Sequence, residues 1–160
     1  MKYKSGKQAS IAGTANEHIV LGILLPEFPD AMLSSHQQSS HDMIIPSGDN
    51  FIRAQIKTAN KSISFSGGGR GGIDRTYIKG KNNPKTYTYS TIDTDVVIGI
   101  EPIAIGSYDL FFVPSLVIER LGKKSISNNK VAFTKNNFDY LVKSKDMNFC
   151  NEMYQKLTVK

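Results

Sequence analysis

Two short apolar segments joined by a turn decide the fold: Asp42-Met-Ile-Ile45 and Phe51-Ile-Arg-Ala-Gln-Ile-Lys-Thr58, with Pro46-Ser-Gly-Asp-Asn50 between them. The second segment alternates apolar and polar residues, as a strand with two unlike faces does. Proline, glycine, aspartate and asparagine are typical of turns. Residues 42–58 therefore predict a β-hairpin with a five-residue loop.

This hairpin is expected to bring three polar side chains together. Gln55 and Lys57 are two residues apart, so they lie on the same face of their strand. Asp42 opens the partner strand, and opposed side chains in such a ladder are about 5 Å apart. A carboxylate, an amide oxygen and an ammonium group then converge on one place. That combination suits a divalent cation and a phosphodiester.

Hydrophobic patterning predicts further elements around the hairpin. Apolar residues four apart predict a helix from Gln8 to Leu25. Runs rich in β-branched and aromatic residues predict strands at 95–100 and 108–113, whereas the glycines of 66–72 predict an irregular, flexible loop. Helical spacing recurs from about 135 to 157. This order of elements predicts an α/β domain in which helices flank a mixed central sheet.

The charge of the chain, +6 in total, is unevenly distributed. Segments 61–90 and 120–160 are basic, and the segment 91–119 between them contains acidic residues but no lysine or arginine. Basic clusters often contact nucleic-acid phosphates, although a solvated lysine-rich surface has the same composition. The candidates for contact with DNA are Arg70, Arg75, Lys79, Lys81 and Lys85.

Several classes of protein are excluded at this stage. A chain of 160 residues has room for one core. The apolar run 19–25 is too short to cross a bilayer and has no signal-peptide cleavage site after it. Cys150 is the single cysteine, so neither an internal disulfide nor a multi-thiolate zinc site is possible. We therefore expect a soluble, cytoplasmic protein with no membrane partner.

Asp42 and the triplet Gln55-Ile56-Lys57, preceded by a helix containing Gly13-Thr-Ala-Asn-Glu17, resemble the PD-(D/E)XK nucleases. The resemblance is to the variant in which glutamine replaces the second acidic residue. Within the superfamily the chain is most similar to small homing endonucleases with a Gln-x-Lys strand; restriction enzymes and Holliday-junction resolvases share the core. His41 departs from the pattern, because it stands where the family has proline.

The order of elements matches that superfamily over roughly residues 8–113. We therefore expect a restriction-endonuclease-like core there, and a single nuclease domain over 1–160. Residues from about 120 to 160 are expected to form a helical and basic extension that lies outside this resemblance.

The resemblance implies a role for each residue of the constellation. Asp42, Gln55 and the backbone carbonyl of Ile56 are expected to bind Mg²⁺, for which Mn²⁺ should substitute. Lys57 is expected to act in water activation, and Glu17 to complete the site. Since glutamine removes one negative charge from the metal site, Glu17 matters more here than it would beside an acidic residue 55.

Each of these residues also has a purely structural interpretation. Gln55 and Lys57 could form the solvated face of an edge strand, and Asp42 could be an ordinary strand-end acid. Glu17 could belong to a capping box with Thr14, which has the required spacing. These alternatives depend on where the hairpin and the helix lie in the fold.

The function predicted from the sequence is site-specific, Mg²⁺-dependent cleavage of double-stranded DNA, of homing or restriction type. One small domain cuts one strand per active site, so cleavage of both strands predicts a homodimer or a homotetramer. Two alternatives remain open at this stage. One is a resolvase of branched DNA, and the other is a nucleic-acid-binding module without catalytic activity.

Overall fold

The computed structural model describes residues 6–35, 39–68 and 86–159. It is a mixed α/β structure with a central sheet and flanking helices, as the sequence predicts. The elements in chain order are α1 Gly6–Leu24, β1 Met32–Leu33, β2 Met43–Ser47, β3 Asn50–Thr58, β4 Ser62–Ser64, β5 Ser66–Gly68, β6 Thr86–Thr88, β7 Val96–Ala104, β8 Ser107–Pro114, α2 Ser115–Leu121, β9 Ser125–Ser127, a 3-10 helix Asn128–Thr134, α3 Asp139–Val142 and α4 Met147–Thr158.

The central sheet has five strands in the order β1-β2-β3-β7-β8. The strands β3 and β7 run parallel, whereas the other neighbouring pairs are antiparallel. β3 lies in the middle of this sheet and Gln55 is only 9% exposed, so the interpretation of Gln55 as part of the solvated face of an edge strand is wrong. The core includes several fully buried residues of β7, namely Val96, Val97, Ile98 and Ile100.

The β2–β3 hairpin is tighter than predicted. Ser47 pairs with Asn50, so the loop contains only Gly48 and Asp49, and the expected five-residue loop is wrong. Gly48 has a φ of +59°, a conformation that glycine adopts without steric cost. Pro46 fits within β2 because β1 pairs only with the first two residues of that strand, which leaves an open side for a residue without an N–H.

The predicted first helix is present and differs by no more than two residues at either end. Its residues Val20 and Leu24 are fully buried in the core, while the side-chain amide of Asn16 donates to Thr58 Oγ1 at 2.8 Å. Thr14 lies in the interior of α1, so it does not cap the helix with Glu17. No helix in the described ranges is long and apolar enough to cross a membrane.

The glycine-rich segment begins as a strand. Ser66–Gly68 pairs with Thr86–Thr88, so the prediction of an irregular loop is wrong for these three residues. A Cβ atom added at Gly67 would lie 2.6 Å from Tyr87 Cζ and 2.9 Å from Tyr89 Cε1. Glycine is needed there because the two tyrosine rings pack directly on the strand backbone. Residues 69–72 lie outside the described part of the chain.

The C-terminal segment packs against the same core. Ile126 of β9 pairs with Ile63 of β4, and both are buried. The outer edge of β8 is covered in a similar way. The Asn136 side chain accepts from the N–H of Leu110 at 2.8 Å, and Thr134 Oγ1 accepts from Phe112 at 3.2 Å. These bonds satisfy edge groups that would otherwise be free to pair with another strand.

Two helices account for the helical spacing at 135–157. A turn separates α3 from α4, and Asp146 caps α4 by accepting from the N–H groups of Asn148 and Phe149. Helix α2, which follows directly from β8, was not predicted from the sequence. Pro114 has a φ of −57° at the start of α2 and, lacking an N–H, loses no hydrogen bond there.

Candidate active site

The position of Asp42 follows from the register of the hairpin. The β2 strand begins at Met43, which pairs with Ala54, so β2 leaves the rest of β3 uncovered on this side. The Asp42 N–H donates to the Ala54 carbonyl at 2.9 Å. Its Oδ2 atom accepts from the Ile56 N–H at 2.8 Å and from the side-chain amide of Gln55. The carboxylate therefore takes the place of a missing strand partner.

A cleft of about 500 Å³ lies along this uncovered part of β3. Gly13 and Glu17 of α1 line one part of it, and Gly67 and Tyr89 line another. Four residues singled out from the sequence line this same cleft: Glu17, Asp42, Gln55 and Lys57. The structure thus brings together side chains from α1, the start of β2 and the second half of β3.

The pKa values of both carboxylates of the cleft are raised above their ordinary values. Burial raises the pKa of Glu17, and the negative charge of Asp42 raises it further. Burial likewise raises the pKa of Asp42, although the Ile56 N–H and the charge of Lys57 act in the opposite direction. Two partly buried carboxylates that repel one another make a site in which a positive charge is favourable.

Lys57 supplies one positive charge to the cleft. Its Nζ atom lies 5.0 Å from the centre of the Tyr89 ring, within the range of a cation–π contact. Tyr89 is only 3% exposed, and burial raises the pKa of its phenol, so the hydroxyl keeps its proton at neutral pH.

The sequence did not predict that Tyr89 belongs to the site. A signal was available in the alternation Tyr87-Thr-Tyr89, which places two aromatic rings on one strand face. The missing information was the partner strand, because Gly67 precedes that alternation by twenty residues.

The oxygen atoms of the cleft fit the chemistry of Mg²⁺, which prefers hard oxygen ligands and binds few from protein. Both hydrogen bonds to the Asp42 carboxylate go to Oδ2, and Oδ1 accepts none within the described ranges. The N–H and C=O of one strand residue point to the same side, so the Ile56 carbonyl also faces the uncovered edge. Glu17 contributes the second carboxylate, and Gln55 an amide oxygen.

A metal at this site would depend on amide and backbone oxygens as well as on carboxylates. In residues 6–35, 39–68 and 86–159, no group of three or more His, Cys, Asp or Glu side chains is arranged to hold a metal ion. The candidate donors are therefore two carboxylates, the Gln55 amide oxygen and the Ile56 carbonyl.

The basic residues predicted to contact DNA lie outside the described residues. The segment that contains them follows Gly68 and precedes Thr86, and these two residues pair with each other. Since Gly67 lines the cleft, the described strands that flank this segment lie beside the cleft. The placement of its basic side chains stays a prediction, which concerns Arg70, Arg75, Lys79, Lys81 and Lys85.

Comparison with known proteins gives one informative similarity. No family model matches the chain, and no curated protein matches it. Among solved structures, the chain is similar to the bacterial homing endonuclease I-Ssp6803I, with a TM-score of 0.61 and 11% sequence identity. The similarity covers 85% of this chain and 94% of that one. At this low identity the likeness concerns the fold alone, so this chain has a mixed α/β fold of the kind found in that homing endonuclease.

Proposed function

We propose that this chain is a magnesium-dependent endonuclease of the PD-(D/E)XK type that cleaves double-stranded DNA at a specific site. The observation that supports this most directly is the convergence of Glu17, Asp42, Gln55 and Lys57 on one cleft at the uncovered edge of β3. The fold likeness to a homing endonuclease is consistent with it. Such an enzyme would act as a homing endonuclease or as a restriction endonuclease.

The ligand oxygens have distinct origins in the chain. Asp42, the Gln55 amide oxygen and the Ile56 carbonyl would hold Mg²⁺ or Mn²⁺, and Glu17 would add the second carboxylate. A bound metal would polarise the scissile phosphate and lower the pKa of an attacking water. Glu17 is essential in this arrangement because a single carboxylate gives weak attraction for a divalent cation.

Lys57 would act on the reacting phosphate and water. Its ammonium group lies in the cleft that the carboxylates line, where it can neutralise charge that develops on the phosphate oxygens. It can also donate a hydrogen bond that orients the attacking water. A partly buried cleft strengthens both effects, because the effective dielectric constant is lower there than in bulk water.

Contact with the DNA backbone would come from the basic segment between β5 and β6. Arginine and lysine side chains there would bind phosphates and hold the duplex over the cleft. One cleft cleaves one strand, so cleavage of both strands at one site would require a homodimer or a homotetramer.

The test is incubation of the protein with long DNA of mixed sequence, with Mg²⁺ or with EDTA, followed by gel electrophoresis. We expect discrete fragments with Mg²⁺ only. Lys57→Ala should abolish cleavage and retain DNA binding in a gel shift. The matched control is Lys135→Ala, which removes an exposed lysine bonded to Asp109 at the edge of β8 and should cleave as the wild type does.

Four outcomes would contradict the proposal. Cleavage in EDTA would remove the metal from the mechanism, and cleavage by Lys57→Ala would show that the site is misassigned. Cutting of four-way junctions, with linear DNA left intact, would instead identify a resolvase. Binding without cutting under any divalent metal would identify a binding module.

A further inference from the structure

Tyr89 is buried at the wall of the cleft. It directly follows β6, and its backbone N–H donates to the carbonyl of Phe65 at 2.8 Å. Its side chain is 3% exposed. Within the described ranges its hydroxyl group forms no hydrogen bond, so the contacts that fix the residue are those of its backbone and its ring.

The Tyr89 ring packs against the backbone of β5 at Gly67, where any larger residue would overlap it. It is perpendicular to the ring of Tyr87, with the ring centres 5.7 Å apart. A side chain at Gly67 would overlap both rings, since an added Cβ would lie 2.6 Å from one and 2.9 Å from the other. The bare backbone of β5 therefore determines the position of the ring face.

That ring face points to the ammonium group of Lys57. The distance from Nζ to the ring centre is 5.0 Å, and both residues line the same cleft. A lysine side chain has a flexible four-carbon stem and many rotamers of similar energy. An aromatic face attracts a cation and reduces that freedom, and the attraction grows where water is excluded.

We propose that Tyr89 is a positioning residue, whose ring face holds the Lys57 ammonium in the catalytic cleft while its hydroxyl takes no part. The catalytic consequence rests on the function proposed above, in which Lys57 acts on the phosphate and the attacking water. The contact between ring and ammonium does not depend on that function. The two parts can therefore be tested separately.

Cleavage kinetics test the catalytic part. In single-turnover assays at saturating protein, Tyr89→Leu should lower the cleavage rate about five- to thirtyfold, the loss expected from one partly desolvated cation–π contact. Its affinity for DNA, measured by gel shift, should change less than about twofold. Tyr89→Phe keeps the ring face and should cleave at the wild-type rate.

The matched control is Tyr140→Leu. Tyr140 is also a buried tyrosine, 8% exposed, but it packs against Phe133 and Phe149 away from the cleft. This variant loses a similar ring volume and should cleave at the wild-type rate. A second probe is Gly67→Ala, which displaces the Tyr89 ring while Tyr89 itself is unchanged. It should lower the cleavage rate as Tyr89→Leu does.

Nuclear magnetic resonance of protein labelled with ¹³C-lysine tests the contact without any activity. Protons above an aromatic ring are shifted upfield, so the Lys57 Cε methylene signal, assigned from its absence in Lys57→Ala, should be upfield of its position in Tyr89→Leu. The shift should persist in Tyr89→Phe and disappear in Tyr89→Leu. An unchanged Lys57 signal in Tyr89→Leu, or a wild-type cleavage rate in that variant, would overturn the proposal. If the wild type cleaves no DNA, the proposed nuclease function fails, whereas the methylene shift still decides the contact.

Discussion

Asp42→Asn is the substitution that separates most clearly the effect of this site on folding stability from its effect on cleavage. The wild-type Oδ2 atom accepts from Ile56 and Gln55, and asparagine can offer its carbonyl oxygen to both donors. The Nδ2 group then replaces Oδ1, which accepts no hydrogen bond within the described ranges. The change removes a charge and one oxygen ligand, while the local hydrogen bonds are kept.

In the absence of metal, this variant should be more stable than the wild type. Burial raises the pKa of Asp42, so the folded state disfavours its charged form at neutral pH. Single stabilising substitutions commonly add about 0.5–2 kcal/mol, often at a cost in function where the active site is strained. Because the Ile56 N–H and Lys57 already offset part of the cost, we expect about 1 kcal/mol, which raises the Tm by about 2–4 °C for a chain of this length.

Cleavage should change in the opposite direction. The variant leaves Glu17 as the only carboxylate among the ligands, so we expect the rate to fall at least about a thousandfold, equivalent to about 4 kcal/mol. Mg²⁺ should stabilise the wild type by about 1.4 kcal/mol at ten times its Kd. It should leave the thermal unfolding of the variant unchanged.

The assay is thermal unfolding followed by circular dichroism, in EDTA and in Mg²⁺, beside single-turnover cleavage. The control is Asp49→Asn, an exposed carboxylate in the turn of the same hairpin, which should alter neither quantity. A Tm below that of the wild type in EDTA would refute the electrostatic argument. Cleavage by Asp42→Asn within tenfold of the wild-type rate would refute the assignment of the site.

Three further predictions concern the scaffold, each measured by urea denaturation. Asp95 is 7% exposed and accepts three hydrogen bonds from Arg53, so Asp95→Asn should lose about 2–3 kcal/mol at neutral pH, somewhat less than for a fully buried pair. Burial alone would raise the pKa of Asp95, but the bonds from Arg53 lower that pKa below its ordinary 3.8. The stabilisation by the ionised carboxylate should therefore be lost as the pH falls from about 4. Asp95→Asn should lack this part of the pH dependence. Gly48→Ala places alanine at a φ of +59° and should cost about 1–2 kcal/mol. Gly22 is exposed on α1, with no atom within 4 Å of an added Cβ, so Gly22→Ala should raise the free energy of unfolding by about 0.5–1 kcal/mol. Equal stability of all three variants and the wild type would contradict these predictions.

Local periodicity accounts for the parts of the fold that the sequence predicted well. The helix Gly6–Leu24 and the strands β2, β3, β7 and β8 follow from spacing and composition that act within a few residues. The errors at the hairpin loop and at Gly67 have one cause. Proline and glycine by themselves favour irregular structure. Pro46 nevertheless fits in β2 because one side of that strand is unpaired, and Gly67 fits in β5 because two tyrosine rings pack on its backbone.

The candidate site, too, was predicted from the sequence only in part. Alternation along β3 was enough to predict that Gln55 and Lys57 share a face, and the turn after Ile45 was enough to bring Asp42 towards them. The placement of the basic segment 69–85, the metal and the oligomeric state stay predictions. Tyr89 reached the site through a pairing of β5 with β6 that no local pattern indicates.

The sequence by itself determined the helix, the strands and the shared face of the polar residues, because these depend on the repeat of the backbone and on neighbouring side chains. The tertiary structure decided that β3 lies at the centre of the sheet, that β2 stops short of Ile56, and that Glu17 and Tyr89 line the cleft beside Lys57. Those contacts join residues far apart in the chain. Their formation depends on which apolar faces are buried together, and the order of residues along one segment does not contain that information.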